Sequence, residues 1–309
     1  MALIKACLLL AAAVQNTGKE CDISMGPTAM LIAVPKGTVI TSEDLEDPIN
    51  WLETLIHEQK KKRAYPLFGH EAPIRTIQNN KEQDVLVTLD DGSTTFVRYG
   101  FVNRMFETTS GGICYAKALE SFAKANYNFI EVDIEGKVLL RRNVDGTYGA
   151  LRTDFAYSPS PTLADFKNPY KNNFQISYNP DDYIKNGVIF AGGEELLSKM
   201  GLIDAKLVKV SAISTKIVVK VISECAENNI SGGEFATSWP SAGIITVKNG
   251  NTSVTTTNTV VDDGENSVIE LAGTFAPGTY TVTVAPPSDL FDAGIAGYEV
   301  TSPLNVVVA

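Results

Sequence analysis

Histidine is nearly absent from this chain. There are two, His57 and His70, so acid–base chemistry near neutral pH has few side chains to draw on. Cysteine is scarce as well. Cys7, Cys21, Cys114 and Cys225 form no CxxC pair, which excludes a zinc-ribbon spacing and a dense disulfide framework. Reduced structural thiols are expected, although an even count permits one or two bridges. Positive charge is in deficit. With 26 Lys and Arg against 36 Asp and Glu, the net charge is −10. Duplex affinity comes largely from cations neutralising phosphates, so free nucleic acid is excluded as a partner. No apolar run reaches the ~20 residues of a membrane span, so no membrane contact is expected. The longest, Ala6 to Val14 after Lys5, looks like the core of a secretory signal. Its expected form is a retained N-terminal helix.

What is present is ordinary globular material: 44% hydrophobic and 20% charged residues, enough to fold. At 309 residues, two domains are the natural division. After the N-terminal segment, Ala29 to Val34 reads as a buried strand ended by Pro35-Lys36-Gly37. A helix follows, with Asp47 as N-cap, Pro48 at its first position, and Ile49, Leu52, Leu55 and Ile56 on one face. Lys60 to Arg63 falls at its expected end, where cations are favoured, and Pro66 closes it. From Asp84 to Tyr157 the pattern is hairpins. Val85 to Leu89 and Thr95 to Tyr99 flank Asp91-Gly92, Phe129 to Ile134 and Lys137 to Leu140 flank Glu135-Gly136, and Asp145-Gly146 introduces a further strand. Gly111-Gly112 precedes a helix with Tyr115, Ala118, Leu119 and Phe122 on one face. Residues 157–187, rich in Ser, Pro, Asn and Asp, read as a long surface excursion around one strand, Phe174 to Tyr178, leading to a short helix near Glu194 to Met200.

Beyond Val210 the composition turns to Thr, Val, Asn, Ser and Gly. Strands are expected at Ile217 to Ile222, Ile244 to Val247, Val254 to Thr257, Val268 to Leu271, Tyr280 to Val284 and Leu304 to Val308. That number and rhythm match an immunoglobulin-like (Ig-like) sandwich, although the Cys, Trp, Cys arrangement of antibody domains is missing. From Ser214 onward three lysines face ten carboxylates, a balance of −7, so this part is a solvated anionic module. The expected fold is therefore mainly β, α+β overall: an antiparallel α+β assembly domain over 1–213, then an Ig-like β-sandwich over 214–309.

Chemistry is hard to find. Cys114 served by His57 or His70 would need a local signature that the chain lacks, so Cys114 is expected as a small residue packing a helix start on the sheet. The pairs Gly111-Gly112, Gly192-Gly193 and Gly232-Gly233 lie in no phosphate-binding motif and read as turn and cap glycines. The acidic turns Asp90-Asp91-Gly92 and Asp262-Asp263-Gly264-Glu265-Asn266 lack the alternating oxygens of a calcium loop. Lys60 to Arg63 reads as a solvated helix end. The sequons at Asn229 and Asn251 are what an Asn-, Ser- and Thr-rich chain produces by chance. No catalytic, cofactor-binding or metal-binding residue is assigned, no cofactor is expected, and the chain is read as no enzyme.

The stretch from Thr274 to Val284, Thr-Phe-Ala-Pro-Gly-Thr-Tyr-Thr-Val-Thr-Val, on an acidic sandwich behind an α+β base, resembles virion proteins of tailed bacteriophages that carry appended Ig-like modules. Asp145 to Gly149, Leu163 to Lys171 and Met200 to Asp204 are similar to proteins of phages infecting gut Bacteroidota. The resemblance implies a virion structural protein assembled in the bacterial cytoplasm, with itself and other virion proteins as partners. A self-assembling tail subunit of the tube or neck type is favoured, with an outward-facing Ig-like domain that can contact host-surface glycans. A capsid decoration or head-fibre subunit is the alternative within that class. The rival from another class is an exported carbohydrate- or receptor-binding adhesin.

Overall fold

A computed structural model describes residues 7–8, 24–58, 62–70, 72–124 and 126–309. The fold is mainly β, built from several antiparallel sheets. Two compact units are present, one reaching Gly201 and the other running from Leu202 to Ala309.

The first unit contains, in chain order, β1 (Cys7–Leu8), β2 (Thr28–Pro35), α1 (Pro48–His57), β3 (Tyr65–Phe68), β4 (Thr76–Lys81), β5 (Val85–Thr88), β6 (Thr94–Arg98), β7 (Val102–Thr108), α2 (Gly112–Lys124), β8 (Tyr127–Asp133), β9 (Lys137–Arg142), β10 (Tyr148–Gly149), β11 (Thr153–Tyr157), β12 (Asn172–Tyr178), α3 (Pro180–Ile184) and β13 (Gly187–Ala191). One sheet has the order β1-β13-β9-β8-β2-β3, with β10 also on β9, and a second has the order β11-β12-β7-β4. β5 and β6 form a separate two-stranded ribbon. Phe106, Phe129, Phe174, Ile176 and Leu31 meet in the core with Leu119 of α2. β8 is buried along almost its whole length, as a strand covered on both faces must be. Its turn into β9 has no room for a side chain, because a Cβ at Gly136 would stand 2.0 Å from the Gly193 carbonyl oxygen.

The second unit contains β14 (Ile203–Ile213), β15 (Lys216–Ser223), β16 (Ile245–Asn249), β17 (Thr252–Val254), β18 (Thr257–Val261), β19 (Val268–Ala272), β20 (Gly278–Val284), α4 (Pro287–Asp292), β21 (Tyr298–Val300) and β22 (Leu304–Val308). Its two sheets run β18-β19-β15-β14-β21 and β17-β16-β20-β22. Only the β14–β21 pairing is parallel. Alternation on β15, β19 and β20 sends Ile217, Val219, Ile269, Leu271, Tyr280 and Val282 inward, around a fully buried Trp239. The Trp239 indole N–H donates to the Ile230 carbonyl at 2.7 Å, and the Tyr280 hydroxyl donates to the Ala276 carbonyl at 2.9 Å. Both polar tips are thereby satisfied inside the core.

Several expectations are corrected. The division between units falls at Gly201/Leu202 instead of 213/214, because β14 pairs with β15 along its length and belongs to the second unit. Cys7 and Leu8 are extended, pairing with Ile189 and Val188 in place of a helix. The rest of the N-terminal segment lies outside the described residues. α1 has its predicted Asp47 cap, whose carboxylate accepts from the Asn50 N–H at 3.1 Å, but ends at His57. Pro66 sits within β3, an edge strand, where a missing N–H costs little. Arg63 is buried, its guanidinium 5.7 Å from the Tyr65 ring centre, so it is no solvated helix end; Lys60 and Lys61 lie outside the described residues. Within residues 157–187 only the part between β11 and β12 is an excursion, since β12 is an inner strand of its sheet. The residues from Glu194 form a 3-10 turn ending at Ser198.

Candidate assembly surface

β4 and β7 pair with Lys81 opposite Val102, and beyond that pair the chain continues outward as the β5–β6 ribbon. Its root is fixed by three contacts. The Asp84 carboxylate accepts from the Gly100 N–H at 3.0 Å and pairs with Lys81 at 2.9 Å, and the Glu82 N–H donates to the Phe101 carbonyl at 2.9 Å. A Cβ at Gly100 would lie 2.0 Å from the Glu82 carbonyl oxygen, so glycine is required where the strands cross. The tip closes on Asp91-Gly92, where Gly92 has φ +82 and the Asp91 carboxylate accepts from the Ser93 N–H at 2.9 Å and hydroxyl at 2.6 Å. The Ser93 hydroxyl and amide hold the Asp91 carboxyl below its ordinary value.

Leu86 faces Phe96 across the ribbon and Val87 faces Thr95, so apolar groups occur on both of its faces. They are left to solvent: Leu86 is 58% exposed, Val97 54%, Leu89 48% and Phe96 46%. A two-stranded ribbon on its own is marginal in water, and exposed apolar patches of this kind mark contact surfaces. Between β11 and β12 a second arm carries Leu163 and Phe166, the latter fully exposed, on a turn where the Asp165 carboxylate accepts from the Lys167 and Asn168 N–H groups at 2.7 Å each.

Two polar constellations also belong to this unit. In the interior, Arg104 forms an ion pair with Glu131, Thr28 donates to Glu131 at 2.7 Å, and Arg104 donates to Thr28 at 3.1 Å and to the Tyr183 hydroxyl at 2.8 Å. Burial, reinforced by the Glu131 charge, pushes the Tyr183 hydroxyl up to about 12. With Glu131 wholly buried, this network ties β2, β7 and β8 together. On the surface, a cavity of about 480 Å³ is lined by Arg141, Arg142, Arg152 and Lys185 with Asn143 and Asn186. Asp182, wholly buried, receives two hydrogen bonds from the Arg152 guanidinium at 2.8 and 2.6 Å and lies 3.5 Å from Arg141. Lys185 pairs with Asp181 at 2.7 Å and stands 5.3 Å from the Tyr99 ring centre. Arg142 makes no ion pair among the described residues.

The residues considered for catalysis are not brought together. His57 ends α1, whereas His70 lines a cleft of about 750 Å³ with Ile74, Arg75, Glu194 and Ser198, and Cys114 is not part of that lining. Cys114 is exposed at the start of α2 and disulfide-bonded, as is Cys225, which corrects the expectation of packed, reduced thiols. A disulfide sulfur is no thiolate nucleophile. The acidic turns are hairpin and loop turns: the Asp262 carboxylate accepts from the Ser267 hydroxyl at 2.7 Å and the Gly233 N–H at 3.1 Å. Among the described residues no group of three His, Cys, Asp or Glu side chains could hold a metal ion, and no helix is long and apolar enough to cross a membrane. The ribbon was legible as a hairpin from Asp91-Gly92, but its exposure was not. The basic cavity was missed, although the adjacent Arg141-Arg142 pair could have flagged it. No protein-family model matches the chain, and no curated protein matches it.

Proposed function

We propose that this chain is a non-enzymatic, self-assembling virion subunit, of the tail tube or neck type, whose C-terminal unit is a displayed Ig-like domain. The observation that carries the reading is the β5–β6 ribbon. It is anchored at its root, apolar on both faces and uncovered along its length, as a segment is when a neighbouring subunit completes it. The arm bearing Leu163 and Phe166 supplies a second such surface. The Ig-like assignment rests on strand order. β14, β15, β19 and β18 form one sheet in the A-B-E-D arrangement, and β16, β20 and β22 form the other in the C-F-G arrangement. Tyr280, early in β20, bonds back to the Ala276 carbonyl in the manner of a tyrosine corner.

The test is the oligomeric state of the full chain by light scattering and negative-stain microscopy. Rings or tubes are expected from the native sequence, and the variant Leu86→Ser, Phe96→Ser, Val97→Thr should stay folded but assemble at least about tenfold more weakly, since ~0.8 kcal/mol is lost per buried methylene. A folded chain that stays monomeric at all concentrations defeats the reading.

A second reading is favoured by one observation. Cys114 and Cys225 are each disulfide-bonded, which suits an oxidising compartment, as for an exported binding protein or adhesin, although virion surfaces also hold disulfides. Intact mass of native protein separates the two: removal of roughly fifteen to thirty N-terminal residues, the length of a signal peptide, supports export.

A further inference from the structure

The chain has a net charge of −10, yet four cationic side chains converge on one cavity of the first unit. Within their own surroundings they are incompletely neutralised. Asp182 serves Arg141 and Arg152 together, Asp181 serves Lys185, and Arg142 makes no ion pair among the described residues, which leaves the cavity with two excess positive charges. Desolvating such a cluster without a counter-charge would be costly, so it selects an anionic occupant.

The same unit displays a matched pair of carboxylates. Asp90 and Asp91 stand at the tip of the β5–β6 ribbon, exposed and with no cation paired to either among the described residues. They cannot reach the cavity of their own chain. Lys185 of the cavity sits against Tyr99 at the ribbon root, 5.3 Å from the ring centre. The strand between Asp84 and Leu89 then carries the tip roughly 17 Å away at about 3.4 Å per residue. A counter-charge for either cluster can therefore be supplied by another molecule.

We propose that the cavity formed by Arg141, Arg142, Arg152 and Lys185 is a carboxylate-binding socket that receives the Asp90-Asp91 tip of a second copy of this chain. The proposal rests on the self-assembly reading above and gives it a direction. Tip and socket are different surfaces, so the contact is heterologous and repeats from copy to copy into a ring or a helical array. In that arrangement Leu86, Phe96 and Val97 lie along the neighbour, while the charge pair sets register and excludes wrong alignments.

The experiment uses the full chain and charge reversal. Arg142→Glu alters the one socket cation that makes no ion pair. Asp90→Lys with Asp91→Asn alters the tip while keeping an oxygen for Ser93. Each should raise the protein concentration needed for assembly by about tenfold or more, with circular dichroism and melting unchanged. Joining both sets in one chain should recover part of the lost assembly, because the socket is then neutral overall and a new carboxylate at position 142 can face the new lysine at position 90. Raising salt to about 0.5 M should weaken the native contact and leave little further difference between variants. If the native chain assembles and the reversals change nothing, the socket proposal is overturned while self-assembly stands. A folded native chain that remains monomeric defeats both. Binding of a duplex DNA fragment that Arg142→Glu abolishes, with assembly unaffected, would overturn the proposal in favour of a phosphate occupant.

Discussion

The most consequential single residues of the first unit are the ones sequence patterns treat as errors. Arg104 and Glu131 occupy inward positions of β7 and β8, with Glu131 at 0% exposure. Removing one partner leaves the other charged, buried and unpaired. Glu131→Leu alone should therefore cost about 3–5 kcal/mol in urea unfolding, whereas Glu131→Leu with Arg104→Met should recover most of that loss. Equal destabilisation by the single and double variants would show that the pair is not coupled. In the second unit, Asp262 supplies a pH signature. Donation by the Ser267 hydroxyl, then by the Gly233 N–H, holds its carboxyl below the ordinary 3.8. A depressed folded-state value means that its contribution is present above pH 3.8 and is lost as pH falls through the folded-state value. Acid titration followed by NMR should show the loop from Asp262 to Ser267 loosening below about pH 4, and Asp262→Asn should abolish that step.

At the scale of elements, legibility followed the chemistry of each strand. The hairpins closed by Asp91-Gly92 and Glu135-Gly136, the helix after Gly111-Gly112 and most sandwich strands were readable, because a turn glycine or a clean alternation marks each one. β7 was not. It buries Arg104 and Thr108 beside Phe106, so its inward face does not read as apolar. β4, Thr-Ile-Gln-Asn-Asn-Lys, is an exposed edge whose polarity suits an edge and hides a strand. β14 falls ahead of the boundary expected from composition, which turns to Thr, Val, Asn, Ser and Gly only beyond Val210, although Ala205 and Leu207 belong to the core of the second unit. The basic cavity is only half legible: Arg141-Arg142 is an adjacent pair on β9, but Arg152 and Lys185 join it only in the folded chain. The boundary has a direct consequence. A fragment from Leu202 to Ala309 should melt cooperatively, whereas one from Ser214 loses the strand that joins β15 to β21 and should be less stable by several kcal/mol, given the buried Ala205 and Leu207 it discards. Equal melting of the two fragments would place β14 outside the sandwich's cooperative unit.

Across the whole molecule, charge is divided unequally between the units. From Leu202 onward five lysines face eleven carboxylates, a balance of −6, in just over a third of the chain. Anionic modules of this kind repel one another and stay dispersed. The first unit carries both uncovered apolar arms and the tip and socket charges. The expected outcome is that residues 1–201 assemble without the sandwich, and that the 202–309 fragment remains monomeric even at high concentration. Removing the sandwich should also lower the protein concentration needed for assembly, most of all at low salt, because its mutual repulsion is gone while the tip and socket attraction remains. Sedimentation of the full chain and both fragments across a salt series measures this directly. Assembly of the 202–309 fragment, with the first unit folded and monomeric, would invert the division of labour and make the surface of the second unit the contact.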